Sequence, residues 1–185
     1  MILPNDIKEF FFKFIAGDVS LEDFEQWAYS YKELEKYLGA DVYLDLISLS
    51  FKNSSDKYEL QKLLEKHIDP GELETYKILE LLKEALQKNV RLPYILMEFY
   101  DLYCKGYGFL HDLGLVMGLA VAAPTVRNST VNTWEELTKE QQNEILDAFS
   151  PELEMCINKT IYWLETKKII LTGEQNEIGH YEYKM

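Results

Sequence analysis

Histidine occurs three times and cysteine twice in this 185-residue chain, so the side chains that most often carry chemistry are scarce. Cys104 and Cys156 stand far apart with no CxxC or CxxH companion, which excludes a disulfide framework and a thiolate zinc site. In apolar helical surroundings, a free cysteine behaves as a small hydrophobe. The uncharged run from Leu113 to Thr125 is too short for the ~20 residues that span a bilayer. The N-terminal stretch has no basic region, and Asp6, Lys8, Glu9 and Lys13 interrupt it, so it does not read as a signal peptide. Phosphate-cradling motifs are missing: there is no GxxxxGK followed by Ser or Thr, and Gly106-Tyr107-Gly108 is only a fragment of GxGxxG. There is no GxSxG elbow either. These absences point to a reduced, cytoplasmic home and to a protein without catalytic residues, metal or cofactor.

What the chain has is apolar bulk under acid. Hydrophobic residues make up 47% and aromatics 14%, enough for a continuous core, and the net charge is −13. A field of that sign repels nucleic acid and anionic membrane and speeds encounter with basic partners. The excess is uneven: residues 1–50 hold ten acids and four bases, whereas residues 51–100 hold nine and eight. From Phe14 to Ser50 the apolar positions Phe14, Leu21, Phe24, Trp27, Leu34, Tyr37, Leu38, Leu44 and Ile47 recur at helical spacing and predict three short helices with buried stripes. Between them stand Asp18, Glu22, Asp23, Glu25, Glu33, Glu35, Asp41 and Asp45, answered only by Lys32 and Lys36.

Start signals recur along the chain. Ser20 with Asp23, Thr133 with Glu136, and Thr138 with Gln141 have capping-box spacing. Asp69-Pro70 and Ser150-Pro151 pair an N-cap with a first-turn proline, and Pro93 opens another helix. The period changes at the end. Ile169 to Gly173 and His180 to Tyr183 favour strand and predict a hairpin over about 169–183. A lone hairpin is marginal in water, so it must pack on the helices or gain a third strand, for which 116–122 is the candidate. The expected fold is mainly α: one domain over residues 1–185, many helices and a small C-terminal β-hairpin.

Two resemblances bear on function. Phe109-Leu110-His111-Asp112-Leu113-Gly114 resembles the His-Asp dipeptide of HD-type phosphohydrolases, all-helical enzymes that bind metal through histidine and aspartate. The order His67, His111-Asp112, Asp147 fits that ligand set, and such a set would lower the pKa of a bound water. The pattern departs soon after: Leu115 replaces the frequent lysine or histidine, and His67 lies in LEKHIDP. A surface or capping role for His111-Asp112 is therefore favoured. Tyr100, Tyr103 and Tyr107 share a helical spacing and are read as core rather than as a base- or sugar-stacking platform. Glu135-Glu136 is explained by the positive end of a helix dipole, and His180 as a packing residue of the hairpin.

The wider text resembles something else. FIAGDVSLEDFEQWAYSYKELEKYLGADVYLDLIS, DLYCKGYGFLHDLGL and WLETKKIILTGEQNEIGHYEY together resemble bacterial immunity proteins of contact-dependent or polymorphic toxin systems. The resemblance implies a cytoplasmic protein that binds a cognate toxin domain and blocks it, with no nucleic-acid or membrane partner. Charge and periodicity supply the expected contact surface: Glu22, Asp23, Glu25, Tyr29 and Glu33, an acidic face with an aromatic edge. The HD-like phosphohydrolase is the alternative.

Overall fold

A computed structural model describes residues 3–125 and 131–185. Among them the chain forms ten α-helices and one antiparallel hairpin, the mainly helical fold expected. It divides into two units, one ending at Leu73 and one beginning at Glu74.

The first unit contains α1 (Asn5–Ala16), α2 (Leu21–Ser30), α3 (Leu34–Leu38), α4 (Ala40–Ile47) and α5 (Ser54–Glu65). Helix α1 buries Ile7, Phe11 and Phe14, an i, i+4, i+7 stripe. It stops where Gly17 takes φ +95, and the N–H groups of Gly17 and Asp18 close back onto the Lys13 carbonyl. Ser20 then starts α2: its hydroxyl accepts from the Asp23 amide at 3.0 Å. Phe24 sinks among Phe10, Phe11 and Phe14, and Trp27 stacks on Phe10 at 4.2 Å. Asn53 and Asp56 form a full capping box for α5. Hydrogen bonds from Ser50, then from the Lys52 and Asn53 amides, hold the Asp56 carboxyl below its usual range.

The second unit holds most of α6 (Pro70–Leu86), then α7 (Leu92–Cys104), α8 (Leu119–Ala122), α9 (Lys139–Ala148) and α10 (Glu152–Glu165). A 3₁₀ turn at Gly108–Leu110 and a π-helix at Asp112–Gly118 lead into α8. The core gathers Leu82, Ile95, Leu96, Phe99, Leu110, Leu113 and Val121.

Residues 116–122 are helical, which corrects the third-strand candidate. The reason is steric. Gly114 and Gly118 lie four apart on the face that meets α7, where a methyl at Gly114 would stand 2.5 Å from the Phe99 carbonyl oxygen. Two glycines on one helical face permit that backbone approach, whereas a strand would present alternate residues to opposite sides. The sheet is therefore two-stranded, β1 (Ile170–Gln175) with β2 (Tyr181–Lys184), pairing Ile170 with Lys184 and Leu171 with Tyr183 before a bulge. It is supported from below instead. Ile169 and Leu171 are buried, and the Tyr181 amide donates to the Lys105 carbonyl at 2.8 Å. His180 lies outside the strand pair, exposed, its amide donating to Asn176 Oδ1.

Tyr107 anchors that junction, past the end of α7. Its ring stacks on Tyr181 at 5.2 Å, and it is fully buried, in agreement with the core reading. Tyr100 and Tyr103 are only half-buried. The Tyr107 hydroxyl makes no hydrogen bond among the described residues. Burial, then the nearby Glu74 charge, pushes its pKa far up. An unpaired buried hydroxyl costs about 1–3 kcal/mol, so Tyr107→Phe should raise stability by ~1 kcal/mol. Chemical denaturation checks this. A lowered midpoint at unchanged slope would show that the hydroxyl has a partner.

Candidate functional site

Helix α2 turns Phe24 and Ala28 inward, which leaves Glu22, Asp23 and Tyr29 exposed and Glu25 half-buried. Glu33 is exposed too, but it precedes α3, past the end of α2. The expected five residues thus share the outside of the first unit and differ in their commitments. Asp23 is held by the cap, its carboxylate accepting from Ser20 Oγ at 2.6 Å. Glu33 accepts from the Tyr37 hydroxyl at 3.3 Å and lies 3.9 Å from Lys36. The Glu22 and Glu25 carboxylates have no hydrogen bond or ion pair among the described residues. Some acids elsewhere are paired within a helix turn, as in Glu9–Lys13, Glu74–Lys77 and Glu80–Lys83, whereas Asp41 and Asp45 of α4 are unpaired among the described residues, like Glu22 and Glu25.

Tyr29 is 56% exposed and leans towards α4. Its hydroxyl donates to the Ile47 carbonyl at 3.4 Å, and its ring meets Phe51 edge-on. That bond ties the outer face of α2 to the last turn of α4. There the sequence reading needs revision, because Leu44 is 59% exposed instead of buried. Helix α4, ADVYLDLI, carries Val42, Tyr43, Leu44, Leu46 and Ile47, more apolar residues than one face of eight residues can bury; only Leu46 is fully inside. That surplus was the available signal. Asp41 and Asp45 are exposed on the same helix. Neither α2 nor α4 contains a lysine or arginine.

The alternative metal set is placed differently. His111 Nδ1 lies 3.1 Å from Asp112 Oδ1, and Lys159 Nζ 3.2 Å from Asp112 Oδ2. Hydrogen bonds from His111 and then Lys159 hold the Asp112 carboxyl below its usual range. This carboxylate is already engaged by an imidazole and an ammonium. Cys156 approaches the same oxygen at 3.8 Å, and burial first, then the Asp112 charge, pushes its thiol up, away from nucleophilic form. Asp147 lines a separate open groove with Lys88, Asn143 and Glu154, and His67 lies in the first unit beside Leu38 and Ile68. Among the described residues, no three His, Cys, Asp or Glu side chains come together as metal ligands. Glu136 accepts from the Asn132 amide, and Thr133 makes no side-chain cap.

No helix among the described residues is long and apolar enough to cross a membrane. Comparison with family models, curated proteins and solved structures found no match to this chain.

Proposed function

We propose that this protein is a non-catalytic inhibitor of the immunity type, which binds a basic toxin domain in the cytoplasm and covers its working surface. The observation that carries the reading is the pair Glu22 and Glu25. They are carboxylates without a counter-charge among the described residues, on a helix that holds no lysine or arginine, beside an exposed tyrosine. Unpaired like charges on one surface disfavour the folded state slightly and favour a partner of opposite sign. Many proteins that act on nucleic acid are basic, and an acidic partner can reach such a surface by fast, steered association. Occlusion needs no cofactor and no catalytic side chain.

The test is co-expression with the product of the adjacent gene. The wild-type chain should co-purify with that product and protect cells from it. Glu22→Lys combined with Glu25→Lys should slow association by ~10- to 100-fold at low salt, flatten its salt dependence, and remove protection with the fold intact. Wild-type binding by that double variant, or no complex with the wild-type chain, would overturn the reading.

A further inference from the structure

The acids of α2 account for attraction but not for a lasting complex, because exposed charge pairs in water contribute little to affinity. Durable interfaces keep a desolvated apolar or aromatic centre inside a polar rim. The first unit has such a centre. Tyr29 and Leu44 are both more than half exposed, and the Tyr29 hydroxyl bond to Ile47 sets its ring against the turn of α4 that follows Leu44. The same two helices contribute Glu22, Glu25, Asp41 and Asp45, and neither contains a cation. Tyr58, the other exposed aromatic of this unit, differs in having a cation beside it: the Lys62 ammonium lies 4.3 Å from its ring.

We infer that Tyr29 and Leu44 form the apolar anchor of a docking surface shared by α2 and α4. Its occupant is a basic protein surface that presents an apolar side chain ringed by lysine or arginine. Charge complementarity selects that occupant: nucleic acid and acidic membrane share the sign of the rim, and a second copy of this chain would bring −13 against −13. The labour is divided. The four carboxylates set the rate of encounter, and the two apolar side chains set the rate of departure. This rests on the proposed function and adds α4, and a kinetic role for each helix, to it.

The experiment measures both rate constants by surface plasmon resonance, with the adjacent-gene product, inactivated, as the immobilised probe. Leu44→Ser should leave the association rate within about twofold and speed dissociation by ~10-fold or more. Leu44 is exposed, so its replacement leaves the core untouched, and circular dichroism confirms the fold. Glu22→Lys with Glu25→Lys should do the reverse, slowing association with little change in dissociation. Asp41→Lys with Asp45→Lys should behave like the α2 pair. If the α2 reversal slows association while Leu44→Ser changes neither rate, the anchor is wrong and the proposed function stands. If the probe binds and neither helix matters, the surface and the anchor are wrong and the reading they rest on falls with them. No binding by the wild-type chain overturns the proposed function and this inference together.

Discussion

Gly118→Ala is expected to destabilise the second unit by about 2–4 kcal/mol, although the same exchange in an open helix would stabilise it by ~1 kcal/mol. The sign is set by the wall the new methyl meets. At Gly118 it would run into the Leu96 carbonyl oxygen and stand 2.9 Å from Tyr100 Cβ; at Gly114 it would stand 2.8 Å from Tyr103 Cβ as well as against Phe99. Backbone cannot step aside as a flexible side chain can, so α7 and the π-helix must separate. Separation would loosen Leu96, Phe99, Leu113 and Met117, which the two segments bury between them. Thermal unfolding would show a midpoint lower by roughly 10 °C or more. Tyr100→Ala should not rescue the variant, because alanine keeps the Cβ that the new methyl meets and the Leu96 carbonyl remains in the way. An unchanged or raised midpoint would mean that the two helices do not approach as closely as described.

That pair of glycines also marks the limit of what could be read from sequence. Where a local rule decides the outcome, the text was clear. Ser20 caps α2, Asp69 accepts from the Glu72 amide at 2.8 Å, and Thr138 with Gln141 closes a complete capping box. The switch to strand after Glu165 was likewise written in β-branched and aromatic runs. Residues 116–122 failed because GLVMGLAVA suits a buried helix or a strand, and only the approach of α7 chooses between them. Helix α1 went unread because Pro4 offers no side-chain cap, although Ile7, Phe11 and Phe14 were correctly spaced. Thr133 failed as a cap because the following turn tightens to 3₁₀ after Glu136 has turned to the Asn132 amide. At the candidate surface, the exposure of Glu22, Asp23 and Tyr29 followed from helical periodicity alone, whereas Glu33 is exposed in the turn before α3, where no period applies. The share of α4 did not, since it depends on a tertiary hydrogen bond from Tyr29 to a backbone carbonyl that no pattern encodes.

The second large effect lies where the hairpin meets the helices, and it separates conformational strain from steric fit. Gly106 has φ +113, and a Cβ there would stand 2.8 Å from the Tyr181 carbonyl oxygen and 2.9 Å from His180 Cβ. Gly179, in the same hairpin, has φ +81 with nothing within 4 Å of an added Cβ. Gly179→Ala therefore carries only the left-handed backbone penalty of about 1–2 kcal/mol. Gly106→Ala carries that penalty and also forces β2 away, which strains the Tyr181 bond to Lys105 and the stacking of Tyr107 on Tyr181. The total should reach about 3–4 kcal/mol. Hydrogen exchange distinguishes the two variants: Gly106→Ala should strip protection from the amide of Tyr181, while Gly179→Ala leaves it protected. Equal protection in both variants would show that the hairpin is held by its inward side chains, Ile169 and Leu171, and not by the seam at Gly106. Loss in both would place the decisive strain in the turn itself.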